Sequence, residues 1–283
     1  MPESMTIRNI SCSEMSRLID WAAGEGWNPG LHDAACFYET DPSGFFIGEL
    51  RGEPVGCISA VAYNDAFGFV GFYIVRPEFR GRGFGYRLWQ TAMQYMKGRN
   101  VGLDGVVAQQ ENYQKSGFHF AYNNIRYEVN SSGLPMIGSH PSVVSLSRVA
   151  FDELAAYDEA VFSVERKRFL QPWISQPGGV ALGSLRDGRL SGYGLLRSCR
   201  SGCKIGPLFA DTAEIADELF GALVQQVPGA VVYLDVPAVN PAAMALAKKY
   251  QMQPVFETAR MYTGGPPKVL LDKVFGVTSF ELG

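Results

Sequence analysis

Histidine and cysteine are scarce in these 283 residues, with three of the first and five of the second. Zinc needs Cys or His pairs at short, repeated spacing. Only Cys199 and Cys203 stand close together, and no second pair accompanies them. Those two read as buried or edge thiols, His32, His119 and His140 as isolated residues, and the expected metal content is none. An excess of positive charge is also missing. The formal net charge is −3, which argues against nucleic acid as a main partner and confines any anion binding to a local site. No apolar run approaches the roughly 20 residues that cross a bilayer, and the opening "MPESMTIRNI" lacks a charged-then-apolar leader pattern. A cytoplasmic protein without membrane contact is expected. Nor does any Cys-His or Ser-His-Asp arrangement suggest a covalent enzyme intermediate.

What the chain does have is a repeated order of elements. Glycine, proline and serine fill "NSSGLPMIGSHPS", Asn130 to Ser142, and interrupt the patterns on either side. Before it, "MTIRNI" reads as a strand and "SEMSRLIDWAAGEG" as a helix capped by Ser11 or Ser13. A hairpin follows through "RGEP", then the strand "FGFVGFYIV", the amphipathic helix "YRLWQTAMQYMKGRN", and the strands "VGLDGVV" and "FAYNNIRYEV". After the break the order recurs: "VVSLSRV", the helix "FDELAAYDEAVF", a hairpin through "RDGR", "CKIGPLF", a helix capped by Asp211 or Thr212, "AVVYLDV", the helix "PAAMALAKKY" and "FETARMYTG". Arg126-Tyr127 follows Gly117 as Arg260-Met261 follows Gln251, and "GLDGV" answers "YLDVP". A period near half the chain indicates tandem duplication.

One loop has no counterpart in the second copy. "FRGRGFG", Phe79 to Gly85, joins an apolar strand to a helix. Successive backbone amides at a helix N-terminus cradle phosphates, and glycines let the backbone come close and take positive φ. Arg76, Arg80, Arg82 and Arg87 are expected to add mobile positive charge. The spacing matches neither a Walker loop nor a dinucleotide fingerprint.

"VRPEFRGRGFGYRLW", Val75 to Trp89, resembles the acyl-coenzyme A loop of the GNAT superfamily of N-acetyltransferases, with Arg80, Gly83 and Gly85 in the pattern Arg/Gln-x-x-Gly-x-Gly/Ala. The resemblance implies two tandem α/β (α+β) GNAT-like domains, each a mixed, mostly antiparallel twisted sheet flanked by helices. They would be a catalytic domain at 1–130, a linker at 131–142 and a degenerate domain at 143–283. It implies acetyl-CoA as cofactor. Its pyrophosphate would lie on the amides of Arg80, Gly81, Arg82, Gly83, Phe84, Gly85 and Tyr86, and its pantetheine arm on the backbone of Phe72, Tyr73, Ile74 and Val75 beside a strand bulge. "YQKSGF" resembles the family's Tyr-x-x-x-Gly-Phe segment and makes Tyr113 the proton donor to the departing thiolate; the family's preceding asparagine is Val106 here, and the segment from Leu103 to Tyr113 is short. No carboxylate stands on "FVGFYIV", so Glu25, Asp65, Glu111 and Tyr73 are all open as general base, with none singled out.

In the second copy "ADTAEIADELF" replaces the glycines and sets Asp211 and Glu214 where cations would be, so it is expected not to bind coenzyme A. That copy and "EGWNPGLHDAACFYETDPSGFF" are similar to bacterial two-domain members of the superfamily. By family position Trp27 and Asn28 are candidate substrate contacts. Tyr193, Arg197, Lys204, Asp235 and Arg260 line either a cleft or a scaffold. The expected function is acetyl transfer to a small-molecule amine, the protein being a monomer or homodimer. A peptide or protein acetyltransferase and a non-catalytic acyl-CoA sensor are the alternatives.

Overall fold

The computed structural model describes residues 5–134 and 140–283, so positions 135–139 of the expected linker lie outside it. The first half runs β1 (Met5–Asn9), α1 (Met15–Gly24), α2 (Asp33–Thr40), β2 (Phe45–Leu50), β3 (Glu53–Ala62), β4 (Phe67–Val75), α3 (Phe84–Tyr95), β5 (Asn100–Val106), α4 (Gln110–Lys115) and β6 (His119–Asn130). The second runs β7 (Val143–Ser145), α5 (Phe151–Phe162), α6 (Lys167–Ile174), β8 (Val180–Arg186), β9 (Arg189–Ser198), β10 (Cys203–Ala210), α7 (Ala213–Val224), β11 (Val231–Pro237), α8 (Pro241–Lys249), β12 (Gln253–Tyr262) and β13 (Val274–Gly276). Helical spacing sets Phe84, Leu88 and Ala92 of α3 on one buried face, packed with Ile58, Val70 and Val101 of the sheet. Thr212 caps α7 by accepting from the Ile215 amide, and Asn240 caps α8 from Ala242 and Ala243.

The sheet is mixed and mostly antiparallel, in the order β1-β2-β3-β4-β5-β12-β6-β11-β10-β9-β8-β7. Its parallel pairs are β4 with β5 and β10 with β11. The sequence did not reveal that the halves exchange their last long strands. β12 lies between β5 and β6, and β6 between β12 and β11.

The register brings opposite charges face to face. Asp104 on β5 faces Arg260 on β12, and Asp235 on β11 faces Arg126 on β6. Arg260 donates from Nε and Nη2 to Asp104 at 2.9 and 2.6 Å, and Arg126 likewise to Asp235 at 2.6 and 2.8 Å. All four side chains are buried. A buried carboxylate without its partner is costly, so each half holds its aspartate with the other half's arginine.

The last residues run along both halves. Parallel pairing of β10 with β11 ends at Ile205 and Leu234, and β13 enters beyond that point. There it pairs Gly276 with Leu208 and Val274 with Phe209, while the Val277 amide donates to the Asp235 carbonyl at 2.8 Å. Asn240 Nδ2 holds this segment through the carbonyls of Leu271, Asp272 and Val274. Residues 277–283 then continue, buried, to β4, where Tyr63 Oη donates to the Leu282 carbonyl at 2.8 Å. The Glu281 carbonyl occupies the place where a side chain on residue 71 would stand, so Gly71 is required by close approach.

Candidate active site

The site begins where β4 departs from regular geometry. Against β3, Ile74 pairs with Cys57 but Gly71 with Ser59, so Phe72 and Tyr73 on β4 oppose a single residue, Ile58. This is a bulge, and Phe72 takes φ of 45° to make it. On its other side β4 pairs with β5 only as far as Val70 and Leu103. Beyond them the strands part, while β5 stays paired on its opposite edge with β12. The gap opens into a cavity of about 840 Å³ that reaches from α3 to Glu281.

The glycine-arginine loop forms the outer mouth. Gly81 and Gly83 take φ of 74° and 81°, and Gly83 is the N-cap of α3. The amides of Gly83, Phe84, Gly85 and Tyr86 meet no backbone acceptor among the described residues. A cluster of aimed amides at the positive end of a 12-residue helix fits a diphosphate. Two expectations need correction. The Arg80 amide is committed to the Pro77 carbonyl at 3.2 Å. The arginines are not mobile counter-charges either, because neighbouring carboxylates and carbonyls satisfy them locally. Arg80 binds Glu25 and the Val75 carbonyl, Arg76 binds Glu53 and Glu78, and Arg87 reaches the Met5 carbonyl. Arg82 lies over the rings of Phe79 and Phe84. Attraction for an anion therefore rests mainly on backbone amides.

Phe72, Tyr73, Ile74, Val75, Arg80, Gly81, Gly83, Gly85 and Tyr86 all line the cavity, whereas Arg82 stays outside it and the Phe84 ring is buried beneath α3. Tyr113 joins them from α4, with its ring 5.6 Å from Trp89, itself 5.6 Å from Tyr73. Burial, then the neighbouring Tyr73, pushes its phenol up to about 12. The short segment before it is a single 3-10 turn, residues 107–109, leading directly into α4. Trp27 lines the cavity; Asn28 does not. Its side-chain amide exchanges hydrogen bonds with the backbone of Ser201, and its carbonyl accepts from Lys204. Of the open base candidates, Asp65 pairs with Arg99 and Glu111 sits on exposed α4, both off the cavity wall. Glu25 lines it but is bound by Arg80.

Comparison with known proteins decides the lineage. Residues 12–118 match the Acetyltransferase (GNAT) family, and residues 154–276 match an Acetyltransferase (GNAT) domain. Holothin acyltransferase of Pseudoalteromonas sp. (strain SANK 73390) is 33% identical over 291 residues, covering 99% of this chain and 95% of that protein. The chain belongs to the GNAT acetyltransferases. Its fold agrees with the crystal structure of a Pyrococcus horikoshii protein assigned as an acetyltransferase, at TM-score 0.84, 22% identity and coverage of 99% and 96%. It also agrees with a tandem GNAT protein from the clavulanic acid biosynthesis pathway, at TM-score 0.67, 12% identity and coverage of 93% and 100%.

As a tandem GNAT acyltransferase, the molecule carries two versions of the splayed strand pair. The second is filled by β13, and at its mouth Asp211 accepts from Tyr157 and Lys273. Sequence reasoning missed α6, and it missed Phe256, Thr258, Phe280 and Glu281, all four of which line the first cavity. Topology delivers those four from β12 and the final segment, so no local motif could have pointed to them. Among the described residues, no His, Cys, Asp or Glu group is placed to hold a metal, and no helix is long and apolar enough to cross a membrane.

Proposed function

We propose that this GNAT protein transfers an acetyl group from acetyl-CoA to the amine of a small molecule. The observation that carries this reading is the continuity of one cavity. It starts at the amide-lined mouth of α3, follows the bulged strand, and ends against Trp27, Phe256 and Phe280. A concave pocket lined by aromatic rings and by Phe280 and Glu281 suits a compact acceptor better than an extended peptide. The relative matching over the full chain is named for acyl transfer to holothin, which supports a named compound as acceptor. On this reading residues 1–130 supply the coenzyme site, and residues 143–283 act as a GNAT-like unit that binds no coenzyme.

Acetyl-CoA supplies an activated thioester when bound. The amides of Gly83 to Tyr86 would take its diphosphate, and the freed backbone of Phe72 to Val75 its pantetheine arm. Tyr113 holds a proton for the leaving sulfur. A thiol of pKa near 8.5 needs only modest help to leave, so Tyr113→Phe should lower kcat roughly 10- to 100-fold while coenzyme affinity stays within about twofold. Because its phenol is raised to about 12, Tyr113 should impose no descending limb on the rate below about pH 11. An unaffected kcat would remove Tyr113 from the mechanism.

The reading itself is tested by following thiol release from acetyl-CoA over a panel of small amines and lysine peptides. Turnover with amines and not peptides is expected. Turnover confined to peptides, or tight coenzyme binding without turnover, would overturn it.

A further inference from the structure

The cavity wall holds three carboxylates, and two of them are already committed. Arg80 binds Glu25, and Arg260 grips Asp104 from two nitrogens. Glu281 differs. It is 3% exposed and lines the cavity, yet no described residue donates a hydrogen bond to its carboxylate. The charges facing it come from four packed elements, and none of them donates a hydrogen bond to it. Arg126 on β6 is held by Asp235, Arg197 on β9 is held by Asp33 on α2, and Lys204 on β10 donates to the Asn28 carbonyl at 3.0 Å. Lys204, bonded to a neutral carbonyl, balances the Glu281 charge, but carboxylate oxygens that accept no hydrogen bond within the protein stay open to an N–H donor in the cavity. Thr258 also lines the cavity, and its buried hydroxyl lacks a partner among the described residues.

Building on the acyl-transfer reading, we infer that Glu281 receives the acceptor ammonium and removes its proton, and that the acceptor is a compact monoamine with a flat apolar body. The amine enters as R–NH3⁺. An N–H bond breaks, its proton passes to a Glu281 oxygen, and the electron pair stays on nitrogen. That pair forms the C–N bond to the acyl carbon as the C–S bond breaks toward sulfur. The thiolate takes the phenolic proton of Tyr113, the nitrogen's second proton replaces it, and Glu281 returns its own proton to water, so one proton is released per turnover. A single free carboxylate accommodates one ammonium. Trp27, Phe256 and Phe280 line the same cavity, and Arg126 lies over the Phe256 and Phe280 rings, so an aromatic body is favoured there over a polycation.

Burial, offset by Lys204, Arg126 and Arg197 and reinforced by Asp33, raises the Glu281 carboxyl above the ordinary carboxylate range. It must be ionised to accept a proton, so kcat/KM should rise with pH through that elevated value and fall off below it.

The test compares wild type, E281Q and E281D with benzylamine and spermidine as acceptors. It records kcat/KM against pH, acetyl-CoA affinity by calorimetry, and the melting temperature. Expected for E281Q are a loss of about 100-fold in kcat/KM for benzylamine, disappearance of the acid limb and unchanged acetyl-CoA affinity, with partial recovery in E281D. Wild type should prefer benzylamine to spermidine. If E281Q shows only a lower melting temperature and keeps the wild-type profile, the carboxylate merely offsets Lys204 and the assignment fails, while the acyltransferase reading survives. If E281Q does not fold, E281D, which keeps the charge beside Lys204, decides: reduced turnover at wild-type stability supports the assignment, and wild-type turnover overturns it. Preference for spermidine overturns the acceptor class. Wild type inactive on every amine overturns the function proposed above, and this assignment with it.

Discussion

Gly83→Val is expected to weaken acetyl-CoA binding by roughly 10³-fold, measured by calorimetry. Residue 83 is the N-cap of α3 at φ of 81°, and nothing lies within 4 Å of where its side chain would begin. The effect is therefore conformational and not a clash. A β-branched residue held at positive φ costs about 1–3 kcal/mol. The loop avoids that cost by turning, which swings the amides of Gly83 to Tyr86 away from a bound diphosphate. Each hydrogen bond to a charged group contributes about 1.5–3 kcal/mol, and about 1.4 kcal/mol is a factor of ten. Because the arginines around the loop are held by Glu25, Glu53, Glu78 and backbone carbonyls, they provide little to compensate. Unchanged affinity would remove the loop from coenzyme binding. Gly85 is needed for another reason: a side chain there would meet Tyr73 Oη at 2.8 Å and Val75 at 3.2 Å.

Arg260→Leu should destabilise the fold by about 3–5 kcal/mol, lowering the melting temperature by roughly 10 °C in a chain of this size. The variant strands the Asp104 carboxylate, fully buried on β5, with only the Asn124 amide at 2.8 Å. It also removes the guanidinium over Phe69, 5.0 Å from the ring centre. Adding Asp104→Leu should recover most of the loss, since apolar replacement of a whole buried ion pair is often neutral. A double variant as unstable as the single one would show that the cost lies in packing around residue 260 and not in the uncompensated charge.

These ion pairs also show what the sequence could and could not disclose. The echoes between "GLDGV" and "YLDVP", and between Arg126 and Arg260, were legible as marks of duplication. Their chemical meaning was not, because pairing within each copy and pairing between copies produce the same string of residues. Only the register, Asp104 with Arg260 and Asp235 with Arg126, separates them. The loop was readable for the opposite reason: it is local, spelled by Gly81, Gly83 and Gly85 between a strand and a helix, whereas the bulge at Phe72 and Tyr73 was expected only through the family resemblance. Asn28 was misplaced because its conformation, φ of 50°, turns its side chain to Ser201. Glu281 carries no local signal at all. It sits more than 200 positions from the strand it lies against, and nothing in "TSFELG" distinguishes a cavity residue from a surface one.

The exchanged strands explain why a copy without a phosphate loop is kept. If the second half were lost, β5 and β6 would no longer be joined through β12, and two long interior strands would expose unpaired backbone edges, the surface most prone to association with other chains. Asp104 would lose its arginine at the same moment. The second copy is thus retained as an interior part of the first copy's sheet, and the two can diverge in sequence without becoming separable.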